Sequence, residues 1–271
     1  MTCRSDQSLD CDAELAAELA LHAGRILLAI RASRVFEPAA LGKAGDQTAN
    51  QFLMHALRNR RPGDGILSEE SKDTRERLSH SRVWIVDPVD GTREFGEARA
   101  DWAVHVGLAI DGQPRIGAVA LPDLDGCTVL RTDRPAALSA SGAPLRMVVS
   151  RTRPAPEAAA VAAHLGAVLC PMGSAGAKAM AVVRGEADIY LHSGGQYEWD
   201  SCAPAAVALS CGLHASRIDG SPLVYNQPDP YMPDLLICRK DLAPAVTAAL
   251  TAVRASLGSL PFAAKENSGT T

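Results

Sequence analysis

The sequence predicts an α/β (α+β) protein of two close-packed lobes, and three observations predict it. An amphipathic helix pair opens the chain, hairpin-type strands follow to about residue 132, and from Arg146 onward helices and strands alternate. At 271 residues and 47% hydrophobic the chain can bury a sizeable core. No internal repeat, low-complexity segment or long linker divides it, so the composition change at residues 140–146 separates intimate lobes. Residues 1–140 read as an N-terminal α+β lobe with the helix pair, an antiparallel sheet and an acidic motif. Residues 141–271 read as a C-terminal α/β lobe whose tail, 265–271, is expected to be disordered. A cleft between the lobes is expected.

The first helix spans about Asp12 to Ala32, where Leu15, Leu19, Ile26 and Ile30 recur at helical spacing. A second follows Gly45-Asp46, with Asp46 placed as N-cap and Phe52, Leu53, Ala56 and Leu57 as the apolar face; Arg61-Pro62-Gly63-Asp64-Gly65 stops it. Ile66 to Glu70 is a short strand ending in paired acids. The apolar run from Val83 is a buried strand that ends at Asp87, because Pro88 holds that residue extended and denies the sheet a donor. Strands at 102–110, 115–121 and 127–132 are parted by Asp111-Gly112 and Asp125-Gly126 turns, the pattern of an antiparallel sheet. The second half reads as strand 146–150, helix 156–165, a strand near Val168, helix 175–184, strand 187–191, helix 199–211, strands 213–218 and 235–238, and helix 242–257.

A net charge of −4 and a pI near 6.0 leave no basic footprint for nucleic acid. The longest apolar stretch, Leu19 to Ile30, is broken by His22 and Arg25, so it reads neither as a membrane span nor as a signal peptide, and the cytoplasm is the expected compartment. Seven cysteines without C-x-x-C spacing read as free thiols, and the seven histidines show no short metal-ligand spacing.

The chemistry concentrates in Asp87-Pro88-Val89-Asp90-Gly91-Thr92. Gly91 lets the backbone turn tightly, so Asp87 and Asp90 can face one point beyond the strand. Glu69 and Glu70 end the neighbouring strand, and Asp200 begins a later helix. Singly, each acid has a plain reading as a turn, a cap or a solvated loop. Together, carboxylates at ~4 Å repel by about 4 kcal/mol per pair at an effective dielectric of ~20, so the cluster needs protons or a cation. All-oxygen donors select Mg²⁺ or Mn²⁺ over Zn²⁺ and do not exclude Ca²⁺. Thr92 and Asp46 supply a hydroxyl and a carboxylate that could orient and deprotonate a water, or simply cap helices. Gly91 and Thr92 amides could hold phosphate oxygens if they open a helix.

These residues, with Gly173-Ser174-Ala175 and Trp199-Asp200, resemble in order and over nearly the whole chain the lithium-sensitive, magnesium-dependent inositol monophosphatase superfamily. Asp90-Gly91-Thr92-Arg93-Glu94-Phe95 resembles the D-G-T-[KR]-E-F of its CysQ-type 3'(2'),5'-bisphosphate nucleotidases, as do Leu67-Ser68-Glu69-Glu70 and Glu198-Trp199-Asp200. The resemblance implies a layered α/β/α/β/α sandwich of the sugar-phosphatase type. It implies Mg²⁺-dependent, lithium-sensitive hydrolysis of 3'-phosphoadenosine 5'-phosphate (PAP) to AMP and phosphate. It further implies Glu69, Asp87, Asp90, Asp200 and the Val89 carbonyl as metal ligands, Thr92 with Asp46 activating water, and Glu70 assisting. Gly91 and Thr92 would grip phosphate, and Gly173 and Ser174 would meet the sugar or nucleotide. Arg93 would pair with the second anionic group, with Glu94 orienting Arg93 or near the ribose. Where the family has V-T-x-A-D this chain has Gly42-Lys43-Ala44-Gly45-Asp46, and after Asp200 it has Ser201-Cys202-Ala203-Pro204 for x-A-A-G.

Inositol monophosphatase or fructose-1,6-bisphosphatase activity is the enzymatic alternative, and a non-catalytic metal and phosphometabolite sensor the alternative of another class. A haloacid-dehalogenase phosphatase requires Asp-x-Asp, whereas Asp87 and Asp90 are three apart. A small phosphorylated substrate is the expected partner, without nucleic acid or membrane; a homodimer is left open. Trp84 and Trp199 read as packing anchors, and Tyr225 to Gln227 with Tyr231 as a surface loop.

Overall fold

The structure, a computed structural model, describes residues 3–138 and 142–257; the 265–271 tail lies outside the described residues. Two five-stranded sheets organise the chain. In the first, β1 (Gly65–Ser68), β2 (Arg82–Asp90), β3 (Ala103–Ile110), β4 (Gln113–Leu121) and β5 (Thr128–Arg131) follow in chain order, β1 and β2 parallel and the rest antiparallel. The second has the order β7 (Val168–Met172), β6 (Arg146–Ser150), β8 (Ile189–Tyr197), β10 (Tyr231–Cys238), β9 (His214–Ser216). Within it β6 runs parallel to both β7 and β8.

Three apolar cores hold five layers together. Helices α1 (Cys3–Ser33) and α2 (Pro38–Arg60) pack on one face of the first sheet through Leu27, Leu53 and Trp84. Helices α5 (Ala175–Val183) and α6 (Glu198–Ser210) fill the space between the sheets. Helices α4 (Ala158–Leu165) and α7 (Ala243–Leu257) cover the outer face of the second sheet through Val161, Val246 and Leu250. This is the α/β/α/β/α sandwich. Because both faces of the first sheet are covered, β2 is buried continuously from Val83 to Asp90 instead of alternating. Among the described residues no helix is long and apolar enough to cross a membrane, and Cys11, Cys127, Cys170, Cys202, Cys211 and Cys238 are free thiols.

Three departures from the sequence reading matter for the site. First, α2 begins at Pro38, where proline suits the first turn, so Asp46 lies well inside the helix and is not its N-cap. Gly42 and Gly45 are interior because they admit a neighbour. A Cβ at Gly42 would lie 2.8 Å from Thr92 Cγ2, and one at Gly45 2.7 Å from Phe95 Cε1. Second, β2 does not stop at Asp87. Its ladder resumes at Asp90↔Ala103 after a bulge between Asp87 and Asp90, where the missing donor of Pro88 costs nothing. Third, the 225–227 segment is not a plain surface loop. Tyr225 is fully buried, and the Asn226 and Gln227 amides both donate to the buried Glu198 carboxylate at 2.7 Å.

Helix α6 packs closely against the first sheet. Gly107 and Gly117 are cross-strand partners, and a Cβ at Gly117 would fall 2.4 Å from the Ala203 carbonyl oxygen. The Cys202-Ala203-Pro204 sequence therefore keeps the close packing, and the first turn of α6 brings Asp200 down to the end of β2.

Candidate metal and phosphate site

The bulge in β2 turns Asp87 and Asp90 toward one point, and α6 delivers Asp200 to it. One oxygen from each of these three carboxylates lies within 4.8 Å of the others. Glu69 follows β1, its amide donating to Val86 at 3.4 Å, and its carboxyl crowds Asp87. The four acids are not equivalent. Desolvation first, then Glu69, Asp90 and Asp200, push the pKa of the buried Asp87 well up. Desolvation with Asp90 pushes Asp200 up to about 7, and desolvation with Asp46 and its fellow acids pushes Glu69 up to about 7.

Asp90 goes the other way. Burial would raise it, but His105, Ser174 and Lys178 bring it down to about 2. The amino end of α5 grips this carboxylate: Gly176 N donates to Oδ2 at 2.6 Å, Ala175 N to Oδ1 at 3.1 Å, and the Ser174 hydroxyl to Oδ2. His105 Nε2 stands 3.1 Å from the same Oδ2, while its Nδ1 donates to the Trp199 carbonyl at 2.9 Å. Burial alone would depress the His105 imidazole; Asp90 reverses this and leaves its pKa raised. Behind the cluster, the ammonium of buried Lys178 donates to the Gly173 carbonyl at 3.1 Å and to that of Ser174.

On the other side of Gly91, whose φ of +91° opens the short helix α3 (Thr92–Gly96), the Thr92 hydroxyl lies 3.1 Å from the Val89 carbonyl oxygen and 3.4 Å from Asp46 Oδ1. Asp46 is buried, and desolvation with the field of Glu70 pushes it up to about 7. One turn on along α2, the buried Asn50 clamps the acidic loop. It accepts from the Ser68 hydroxyl at 2.8 Å and donates to the Glu70 carbonyl at 3.3 Å and to Ser71 Oγ at 3.1 Å.

The structure thus brings Asp87, Asp90 and Asp200 to one point, sets Glu69 against Asp87, and links Asp46 and the Val89 carbonyl through the Thr92 hydroxyl, with Glu70 exposed beside Glu69. Gly173 and Ser174 are close by, but their donors are spent inside the protein. The Gly173 amide bonds Asp101 at 2.7 Å, and the Ser174 hydroxyl bonds Asp90. Glu94 does not orient Arg93. It is buried against Gly173 and accepts from Arg151 Nε at 2.6 Å, which leaves the exposed Arg93 guanidinium without a protein partner among the described residues. Sequence reasoning missed His105, Lys178 and Asn50. For His105 a signal existed, a polar residue inside an apolar strand, which the register sets opposite Asp87. Asn50 also had one, lying one helical turn from Asp46.

The donor set suits a hard divalent ion. It is all oxygen, with at least three carboxylates converging, and desolvation with like charge pushes the pKa values of Asp87, Asp200 and Glu69 up.

Residues 9–254 match the inositol monophosphatase family, and the chain belongs to it. It is 53% identical over 247 residues to the 3'-phosphoadenosine 5'-phosphate phosphatase of Mycobacterium leprae, covering 86% of this chain and 91% of that protein. It is 29% identical over 208 residues to the 3'(2'),5'-bisphosphate nucleotidase CysQ of Escherichia coli, covering 70% of this chain and 81% of that protein. Its fold superposes on the crystal structure of CysQ from Bacteroides thetaiotaomicron with a TM-score of 0.73 at 25% identity, covering 85% of this chain and 97% of the other.

Proposed function

We propose that this chain is a Mg²⁺-dependent phosphomonoesterase that converts PAP to AMP and phosphate. The observation that carries the chemistry is the juxtaposition of the Asp87–Asp90–Asp200 triad with the Thr92–Asp46 pair across Gly91. The similarity to a PAP phosphatase at 53% identity supports the substrate.

Glu69, Asp87, Asp90, Asp200 and the Val89 carbonyl would hold the metal, with Mn²⁺ an acceptable substitute. When bound, the metal polarises the phosphoryl group and neutralises charge on its oxygens. The remaining chemistry belongs to the chain. Thr92 has one proton and two acceptors, the Val89 carbonyl and Asp46. Were the Val89 carbonyl committed as a ligand, Thr92 would donate to Asp46, its proton passing to that carboxylate as the hydroxyl oxygen takes one from the attacking water. Asp46, with a pKa of about 7, is matched to take up and return that proton near neutrality. Glu70 tunes Asp46 through its charge. Gly91 and Thr92 amides face the transferred phosphoryl group, and Arg93, uncommitted within the protein, pairs with the second phosphate.

A side-by-side kcat/KM panel of PAP, inositol 1-phosphate and fructose 1,6-bisphosphate tests the reading. PAP is expected to lead; equal values would defeat the substrate and leave the phosphatase. Binding of PAP without single-turnover phosphate release would mark a sensor.

A further inference from the structure

The proposed chemistry gives Glu94 no task, although it lies just beyond the Gly91–Thr92 turn that would meet phosphate. Its carboxyl is wedged between that turn and the start of α5. A Cβ at Gly173 would fall 2.3 Å from Glu94 Cγ and 2.6 Å from its Cδ, and one at Gly91 would fall 3.2 Å from its Oε2. Glu94 thus occupies the space that a side chain at Gly173 would take. The result is a buried carboxylate directly behind Gly91, on a segment that has to receive a phosphate dianion. Beside the converging Asp87, Asp90 and Asp200, one more negative charge works against that binding.

The cation that meets it comes from the second sheet. Arg151 directly follows β6, and its amide donates at 3.2 Å to the carbonyl of Met172, the last residue of β7 and the neighbour of Gly173. Its Nε donates to Glu94 Oε1 at 2.6 Å and its Nη2 to Glu97 Oε2 at 2.7 Å, so one guanidinium spans two acids three residues apart on α3. Glu97 is exposed and water screens it; Glu94 is buried and has no such relief. The other cations nearby are committed elsewhere. Arg99 makes a two-pronged pair with Asp101 at 2.7 and 2.8 Å, and the Lys178 ammonium donates to the Gly173 and Ser174 carbonyls. Among the described residues, Arg151 is therefore the cation in contact with Glu94.

We propose that Arg151 is a positioning residue for phosphate binding: by neutralising Glu94 behind the Gly91–Thr92 turn, it lets that turn accept the phosphoryl group. It acts through Glu94 and not on the substrate. A plain tie between the two lobes would leave phosphate affinity indifferent to the charge on Glu94. A charge-neutralising role makes the two residues compensate, so that losing the cation is harmful only while the anion remains.

The inference rests on the proposed reading of the turn as the phosphate site, and inorganic phosphate is the probe that separates the two. It is titrated by calorimetry into the Mg²⁺-loaded protein, with PAP kinetics run beside it. Arg151→Met should weaken phosphate about 10-fold, the order of magnitude for one unpaired charge near a dianion, and should raise the KM for PAP similarly with little change in kcat. Adding Glu94→Gln to Arg151→Met should bring phosphate affinity back to within about 2-fold of wild type. Glu94→Gln alone should bind phosphate more tightly than wild type, which gives a second reading if Arg151→Met does not fold. No loss in Arg151→Met, no rescue in the double variant, or weaker phosphate binding by Glu94→Gln would overturn the proposal. A wild type that binds no phosphate would overturn the reading of the turn and the proposal with it.

Discussion

Asp87 and Asp90, three residues apart on one bulge, should respond oppositely to the same substitution when no metal is bound. Among the described residues Asp87 has no cation of its own, and each like-charge contact at 4.8 Å costs about 3.5 kcal/mol at an effective dielectric of ~20 unless a proton relieves it. Asp87→Asn removes that conflict, so in EDTA at pH 8 the variant should melt at or above wild type. Asp90 is held ionised, and its pKa of about 2 corresponds to about 2 kcal/mol of stability at neutral pH. In Asp90→Asn one side-chain amide must face an N–H of α5 or His105, adding an unsatisfied buried donor at about 1–3 kcal/mol. The total is about 3 kcal/mol or more, and at about 2–4 °C per kcal/mol for a chain of this size the melting point should fall by about 6–12 °C. Both variants should lose Mg²⁺-dependent activity. Calorimetric melting in EDTA and again in saturating Mg²⁺ is the assay. If Asp87→Asn loses as much metal-free stability as Asp90→Asn, or Asp90→Asn raises it, the assignment of one strained and one satisfied carboxylate is wrong.

Asn50→Ala should raise the Mg²⁺ concentration for half-maximal activity about 10-fold and change kcat at saturating Mg²⁺ little, since Asn50 positions the Glu69–Glu70 loop without touching substrate; Mg²⁺ titrations read both. Thr92→Ala and Asp46→Asn should each lower kcat by about 10²- to 10⁴-fold with little change in KM, and the losses should not add in the double mutant. Additive losses with normal metal affinity would mean that the two do not act together. Asp46, Glu69 and Asp200, each pushed up to about 7, bind protons more tightly folded than unfolded. Their contribution is present below the unfolded carboxylate range near pH 4 and is lost as pH rises through about 7, so the EDTA-treated protein should become less stable across that window. Mg²⁺ must displace the same protons, so its affinity should rise from pH 6 to 8, with proton release measured by calorimetry in buffers of different ionisation enthalpy.

The individual elements and the acids of the site were legible from local signals, namely alternation, helical periodicity, turn glycines and a carboxylate-rich turn, whereas the layer order came from the family resemblance. What the sequence hid was set by packing between distant segments. Asp46 looked like an N-cap because Gly45 precedes it, yet that glycine is there to admit Phe95 across the α2–α3 contact. The family resemblance implied Ser174 as a sugar or nucleotide contact, whereas the fold spends the donors of that helix end on Asp90, 84 residues earlier in the chain. Glu94 follows Arg93 in sequence and was paired with it, while the fold gives it Arg151, 57 residues away.

The same long-range packing explains why the cluster is uneven. His105 and Lys178, the buried cations near it, both stand on the Asp90 side, where β3 and α5 meet. Among the described residues nothing comparable backs Asp87. The protein therefore fixes one carboxylate ionised and in place with its own donors, leaving the Asp87, Asp200 and Glu69 side short of positive charge. A divalent ion drawn to that side meets acids whose protons it can displace near neutral pH, and it needs no rearrangement of Asp90 to do so. Three donors, the Ser174 hydroxyl and the Ala175 and Gly176 amides, and the His105 imidazole already crowd the Asp90 carboxylate, with Oδ1 accepting from Ala175 N. Asp90 is thus restricted to offering a metal one oxygen, and the deficit of charge on the opposite side makes Asp87 the acid whose loss should weaken metal binding most.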